Sequence, residues 1–100
     1  MSKAWKHFER RVAKFFGGKR IPINGRGDTE DVDHPWMAIE CKYRKALPTY
    51  MTSGMAQAVA NAEDGQLPVV IAGQKGRDVA DSFVVVRARD FREWFGKTGG

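Results

Sequence analysis

The segment Met37–Tyr43 limits most strongly what this chain can fold into, because its side chains alternate in character. Successive side chains of an extended strand point to opposite faces, so one face of this segment would be apolar and the other charged. The first set is Met37, Ile39, Cys41 and Tyr43, and the second is Ala38, Glu40, Lys42 and Arg44. The alternation predicts a strand with one face in a core and one face open.

Helical and extended patterns alternate along the rest of the chain. The runs Leu67–Ala72 and Ser82–Arg87 are largely apolar, which is typical of strands buried on both faces. The predicted elements are a helix over Ser2–Phe16, strands over Lys19–Ile23, Asp31–Asp33 and Met37–Tyr43, a helix over Met51–Asp64 ended by Gly65, strands over Leu67–Ala72 and Ser82–Arg87, and a helix over Asp90–Phe95. This order predicts an α/β fold with one mixed central β-sheet flanked by helices.

The 100 residues have the length of one small domain, so residues 1–100 are predicted to share one core, with 96–100 as a flexible tail. One cysteine excludes an internal disulfide and favours a reducing compartment. The charged residues of 3–19 argue against a signal peptide, and the longest uncharged run is too polar to span a membrane. We therefore expect a cytoplasmic protein.

The formal net charge is +5, and all of the excess lies in residues 1–45, which contain 11 basic and six acidic side chains. A basic surface of this kind favours a polyanionic partner, either nucleic acid or an acidic membrane surface. An acidic side chain on the apolar side of the first helix, Glu9, opposes insertion into a membrane surface. Nucleic acid is the favoured partner.

Glu40 and Lys42 are two residues apart, so a strand points both to one face. A pair like this is commonly a solvated salt bridge on an exposed strand. A hairpin that turns near residues 34–35 would, however, bring Asp31 or Asp33 beside Glu40. Carboxylates held close together repel each other, and a hard divalent cation such as Mg²⁺ or Mn²⁺ relieves the repulsion.

Glu9 lies on the stripe of the first helix that also carries Trp5, Val12 and Phe16. A carboxylate on an apolar stripe costs free energy unless it meets a cation or a metal. The alternative is a residue at the edge of the stripe that pairs with a neighbouring Lys or Arg.

Together these residues resemble the PD-(D/E)XK nuclease superfamily, and within it the archaeal-type and phage Holliday-junction resolvases. Asn24–Gly27 is a glycine-rich loop like that of the resolvases, and the predicted element order contains an αβββαβ core of the restriction-endonuclease type. The motifs that carry the resemblance are Phe8-Glu9-Arg10-Arg11, Asp31-Val32 and Ile39-Glu40-Cys41-Lys42. Glu30 stands where the superfamily has proline, and Asp28 and Asp33 are rivals to Asp31, which is preferred because an aliphatic residue follows it.

The resemblance implies a metal-dependent, structure-selective endonuclease that hydrolyses phosphodiester bonds at four-way DNA junctions. It implies that Asp31, Glu40 and the main-chain carbonyl of Cys41 bind Mg²⁺, or Mn²⁺, and that Glu9 completes the shell directly or through water. Lys42 would position the attacking water or stabilise the transition state. No other cofactor and no small-molecule substrate are expected.

Branched double-stranded DNA is the expected partner, and symmetric cleavage of a junction would need a homodimer. Its interface could involve Phe91, Trp94 and Phe95, which could equally close the core. The candidate DNA-binding side chains are Arg10, Arg11, Lys14, Arg26, Arg44 and Lys45. Two alternatives stay open: another nuclease of the superfamily, acting on flaps, nicks or recombination ends, and a non-catalytic basic DNA-binding module.

Overall fold

The computed structural model of the chain describes residues 3–20 and 32–96. Contacts divide the described residues into two compact units, the first ending at residue 44 and the second beginning at residue 45. The described residues form a small mixed α/β structure with three α-helices and two small antiparallel sheets, whereas the sequence predicted one central sheet. None of these helices is long and apolar enough to cross a membrane.

The first unit begins with helix α1, Lys3–Phe16, which confirms the helix predicted there. Gly17 follows with φ of 78°, a left-handed conformation that glycine adopts without steric cost. The Gly18 amide then donates a hydrogen bond of 2.7 Å to the Ala13 carbonyl and closes the end of the helix. The chain leaves the helix at the predicted glycine pair.

Two short strands follow, β1 (Lys19–Arg20) and β2 (Val32–Asp33). They are antiparallel, with Lys19 opposite Asp33 and Arg20 opposite Val32. The remainder of the predicted strand Lys19–Ile23, residues 21–23, lies outside the described residues, as does the predicted loop over 24–27.

The strand predicted over Met37–Tyr43 is reduced to one antiparallel bridge, between Ile39 and Val32. The prediction of a full strand is wrong, because among the described residues only Ile39 of this segment pairs with a strand. The predicted alternation of its faces is nevertheless present: Cys41 is buried and Ile39 packs on the core, while Glu40 is exposed.

The core of the first unit lies between α1 and this small sheet. Val32 is fully buried, and Ala13 and Cys41 complete the buried cluster. Phe8 and Val12 of α1 pack against it. The helix therefore covers the face of the sheet to which Val32 and Cys41 point.

The second unit begins with helix α2, Thr49–Asn61, directly after Pro48. The predicted helix over Met51–Asp64 exists, but it starts two residues earlier and ends three residues earlier. The predicted stop at Gly65 is wrong, because the backbone is already extended at Ala62. Gly65, with φ of 86°, instead forms part of the following turn.

Strands β3 (Val70–Ala72) and β4 (Phe83–Val85) form the second sheet. They pair antiparallel, with Ile71 opposite Val84. The prediction that both strands are buried on both faces is wrong: Ile71 is 56% exposed, Phe83 74% and Val84 63%. Helix α2 packs on β3, where Gly54 lies against Val70, so one helix covers one side of a two-stranded sheet.

Helix α3, Ala88–Phe95, closes the described chain and begins two residues before its predicted start. The Arg87 guanidinium and the Asp90 carboxylate, 2.8 Å apart, tie its first turn together. Trp94 and Phe95 of the predicted dimer interface are 46% and 38% exposed. Of the predicted tail, residues 97–100 lie outside the described residues.

Candidate functional site

Glu9 is buried on the side of α1 that faces the sheet, with 3% of its side chain exposed. Its Oε1 accepts a hydrogen bond of 2.8 Å from Nε of Arg20, whose side chain is 17% exposed. Glu9 is thus buried and meets a cation, as a carboxylate on an apolar stripe requires, and it does not lie at the stripe edge as the alternative predicted. A buried carboxylate is thereby neutralised and hydrogen-bonded, which offsets the cost of removing it from water.

The strand register explains why Arg20 reaches Glu9. Arg20 lies opposite Val32 in the antiparallel pair, and directly opposite residues project to the same face. Val32 projects into the core beneath α1, so Arg20 also projects towards the helix. Sequence analysis did not single out Arg20, although the short connection Gly17–Gly18 that returns the chain along α1 was a signal for it.

Glu40 and Lys42 lie on the open face of the segment that follows β2. Lys42 Nζ is 3.5 Å from Glu40 Oε2, and the two side chains are 65% and 62% exposed. The predicted pairing on one face is confirmed, in the form of the solvated salt bridge that the sequence also allowed. An ion pair this exposed contributes little to stability, about 0–1 kcal/mol.

An aromatic stack holds this segment against α1. The rings of Phe8 and Tyr43 are 4.5 Å apart and inclined by 18°. The Arg11 guanidinium lies 5.6 Å from the centre of the Phe8 ring and 6.0 Å from that of Tyr43. Since Tyr43 faces the helix, Lys42 and Glu40 face away from it.

The predicted site residues are therefore divided between two faces of the first unit. Glu9 lies on the helix side with Arg20, whereas Glu40 and Lys42 lie on the opposite, open side. No hydrogen bond or ion pair among the described residues joins Glu9 to Glu40. The structure brings Glu40 and Lys42 together and does not bring Glu9 to them.

The residues of the open face supply some, but not all, of the ligands that a bound metal ion would need. The carboxylate of Glu40 and the carbonyl of Cys41 are hard oxygen donors of the kind that Mg²⁺ prefers. Glu9 does not fit as a direct ligand in this arrangement, because the Arg20 guanidinium holds its carboxylate. Within residues 3–20 and 32–96, no group of three or more His, Cys, Asp or Glu side chains is placed to hold a metal ion. Asp31 lies outside the described residues.

A histidine ties the turn of this region to the end of α1. His34 Nε2 lies 2.8 Å from the Phe16 carbonyl, to which it can donate, and the Trp36 amide donates to His34 Nδ1 over 3.3 Å. Both contacts are satisfied when the proton of a neutral ring is on Nε2. His34, predicted only as a turn residue, thus positions the chain that leads to Glu40.

The candidate DNA-binding residues that the structure describes are all exposed. Arg44 follows Lys42 by two residues, so an extended backbone would point its side chain to the same face as those of Glu40 and Lys42. Arg10, Arg11 and Lys14 are exposed on α1, Arg44 closes the first unit, and Lys45 opens the second. Arg26 lies outside the described residues.

Comparisons of the chain with models of protein families, with curated proteins and with solved structures give no match. The candidate site is thus defined by its own residues and their geometry. Its main feature is the exposed pair formed by Glu40 and Lys42. The buried Cys41 between these residues and the stack of Tyr43 on Phe8 hold the segment in place.

Proposed function

We propose that the protein is a metal-dependent, structure-selective DNA endonuclease that hydrolyses phosphodiester bonds at four-way junctions. The proposal combines the resemblance to PD-(D/E)XK nucleases with the open face that carries Glu40 and Lys42. We include in it a restriction-endonuclease-like αβββαβ core, in which the segment that bridges to β2 at Ile39 takes the place of the third strand. The order of α1, β1, β2 and the bridge at Ile39 supports that core.

The observation that carries the proposal is the register of that bridge. Val32 lies opposite Ile39, and in an antiparallel pairing the numbers of opposite residues have a constant sum. Continued by one residue, this register would set Asp33 opposite Ala38 and not opposite Glu40. The register thus disfavours Asp33 as the partner of Glu40. We propose that Asp31, which lies outside the described residues and is followed by the aliphatic Val32, is the carboxylate that acts with Glu40.

In the proposed site, Asp31, Glu40 and the main-chain carbonyl of Cys41 would hold Mg²⁺ or Mn²⁺. The bound ion would lower the pKa of a water molecule and neutralise charge that develops on the phosphate. Lys42 lies 3.5 Å from Glu40, so its ammonium could donate to the attacking water or to a phosphate oxygen in the transition state. An exposed ammonium with one exposed partner can reorient towards a phosphate at small cost.

The part of Glu9 in the proposal follows from its burial. Ligation by Glu9 would bring a metal ion into a buried site beside the Arg20 guanidinium, which already pairs with Glu9 Oε1. We propose instead that Glu9 positions α1 against β1 and so supports the segment that carries Glu40. Glu9 then acts through Arg20 and not on the substrate.

Charge supports DNA as the substrate. The net charge of +5 lies in the half of the sequence that contains Glu40 and Lys42. Exposed basic side chains neutralise DNA phosphates whatever the nucleotide sequence. Such contacts suit an enzyme that is selective for the structure of the DNA. We propose that Arg10, Arg11, Lys14, Arg26, Arg44 and Lys45 contact the DNA backbone, that the enzyme is a cytoplasmic homodimer, and that paired active sites cut opposite strands.

A second candidate is a non-catalytic DNA-binding module, and a specific observation favours it. Glu40 and Lys42 neutralise each other, and Glu9 is already satisfied by Arg20, so neither acid needs a metal in this arrangement. Such a module would bind DNA through the same basic residues without cutting it. A flap, nicking or recombination nuclease of the same superfamily would use the same site on a different DNA.

Incubation of the protein with labelled four-way junction, flap, duplex and single-stranded DNA, with Mg²⁺ or with a chelator, separates these candidates. We expect paired symmetric nicks in the junction only when Mg²⁺ is present. Cleavage confined to flaps or ends would identify the other nuclease type. Binding of every substrate with no Mg²⁺-dependent product would identify the DNA-binding module.

A further inference from the structure

The second unit contains a cleft of about 670 Å³ that the proposed cleavage site does not use. This volume lies within the range of about 300–1,000 Å³ that is common for small-ligand pockets. The cleft lies at the end of the β3–β4 sheet where residues 73–82 connect the two strands. Its main lining residues are Tyr50 of α2, Ile71 of β3, Phe83 of β4, and Gln74, Arg77 and Asp81 of the β3–β4 connection.

Two aromatic residues that line this cleft are largely exposed. Tyr50 is 61% exposed and Phe83 is 74% exposed. Phe83 lies opposite Ala72 in the strand pair, and a methyl side chain is too small to cover a phenyl ring. Exposed rings gathered in one concave surface are typical of binding sites.

A backbone turn fixes the polar side of the cleft, which carries Gln74 and Arg77. The Arg77 amide donates to the Gln74 carbonyl over 3.0 Å, closing a turn in which Gly76 has φ of 85°. Arg77 Nε lies 3.8 Å from the Asp81 carboxylate, which orients the guanidinium while leaving the Arg77 side chain 59% exposed. The cleft thus combines aromatic faces with an exposed guanidinium and an amide side chain.

We propose that this cleft binds an unpaired nucleotide of a DNA substrate, with its base stacked on Phe83 or Tyr50 and its phosphate beside Arg77. Aromatic faces stack with every base, and a guanidinium pairs with phosphate. Gln74 can donate and accept hydrogen bonds at the edge of a base. An apolar peptide or a second copy of the chain would instead bury Arg77 and Asp81, at a desolvation cost.

The inference rests on the proposed function, because it takes the ligand from the same DNA. Four-way junctions, flaps and ends offer unpaired or easily unpaired bases, whereas a continuous duplex does not. A nucleotide held in the second unit would therefore favour branched over continuous DNA without any contact with the cleavage chemistry.

The test is fluorescence anisotropy with the full chain and a chelator, so that no cleavage can occur. A labelled short oligothymidylate is compared with an abasic strand of the same length, which keeps the phosphates and lacks the bases. We expect the abasic strand to bind about 5- to 150-fold more weakly, the range expected for loss of one stacked base. Equal affinities would overturn the proposal, whatever the variants do.

Variants assign the effect to the cleft. Phe83→Ala and Tyr50→Ala should weaken oligothymidylate binding, while Phe83→Trp should retain it. Val84→Ala is the matched control, because Val84 is an exposed neighbour in β4 that does not line the cleft. Unchanged binding by both alanine variants would overturn the proposal. So would concentration-dependent self-association that Phe83→Ala abolishes, since the occupant would then be a second copy.

The outcome is separable from that of the proposed function. Base-dependent binding is measured without metal, and junction cleavage is measured with it. Loss of the first leaves a nuclease without this subsite, whereas absence of the second leaves a DNA-binding protein that has it.

Discussion

Glu9 and Glu40, the two candidate site carboxylates that the structure describes in the first unit, differ in their exposure to solvent. Glu9 is 3% exposed and meets Arg20 at 2.8 Å, whereas Glu40 is 62% exposed and meets Lys42 at 3.5 Å. Both form an ion pair, yet only the first is enclosed by the fold. The difference separates a pair whose disruption should destabilise the fold from a pair whose partners both remain accessible to solvent.

Solvation explains the separation. A buried pair has given up hydration, so removal of one partner leaves a charge that neither water nor protein satisfies. An exposed pair keeps its water, and each partner is stable without the other. Substitution of Arg20 should therefore lower the free energy of unfolding more than substitution of Lys42 does. Substitution of Lys42 should lower cleavage activity more than substitution of Arg20 does.

The largest expected effect on stability is that of Arg20→Ala. It leaves the Glu9 carboxylate buried without a partner, and we expect the free energy of unfolding to fall by about 3–5 kcal/mol. Urea denaturation followed by circular dichroism measures the change. Lys19→Ala, at the exposed neighbouring position of β1, is the matched control and should stay within about 0.5 kcal/mol of the parent.

The same region offers a sharper form of this test. Glu9→Met combined with Arg20→Leu removes both charges and keeps apolar volume, so it should recover most of the stability that Arg20→Ala loses. A double variant as unstable as Arg20→Ala alone would show that the loss comes from packing and not from the unpaired carboxylate.

A smaller effect is expected where the extended segment meets α1. The Phe8–Tyr43 stack should show a coupling energy of about 0.5–1.5 kcal/mol in a double-mutant cycle of Phe8→Ala and Tyr43→Ala. Tyr43→Phe keeps the ring and serves as the control, with nearly unchanged stability. Additive losses in the cycle would mean that the two rings do not stabilise each other.

The smallest effect on stability is expected at the exposed pair. Glu40→Gln and Lys42→Gln should each change the free energy of unfolding by less than about 1 kcal/mol, because both side chains are more than 60% exposed. Thermal denaturation of each variant beside the parent protein measures this. A loss as large as that of Arg20→Ala would assign the pair a structural role and remove the distinction between the two regions.

Much of the local structure could be predicted from the sequence. Apolar spacing and the glycine pair predicted α1 and its end, and alternation predicted that Cys41 is buried while Glu40 is exposed. These features depend on residues close together in the chain, where period and backbone preference decide the outcome. The separate likeness to junction resolvases is a prediction that cleavage must test.

The longer-range features could not be predicted. The run Leu67–Ala72 indicates apolar content but not how many layers cover it, and Ile71 is exposed. The Glu9–Arg20 pair depends on strand register, which a single sequence does not specify. The resemblance to nucleases placed Glu9 and Glu40 in one site, whereas the structure buries Glu9 of α1 and leaves Glu40 exposed.

The measurement that tests the central claim most directly is the single-turnover cleavage of a labelled four-way junction by Glu40→Gln. Cleavage in Mg²⁺ and junction binding in a chelator are measured on the same preparations, beside the parent protein and Asp31→Asn. Loss of one carboxylate at the proposed site should slow cleavage by about 100-fold or more while junction binding stays nearly unchanged. Cleavage by Glu40→Gln at the rate of the parent protein would contradict the account.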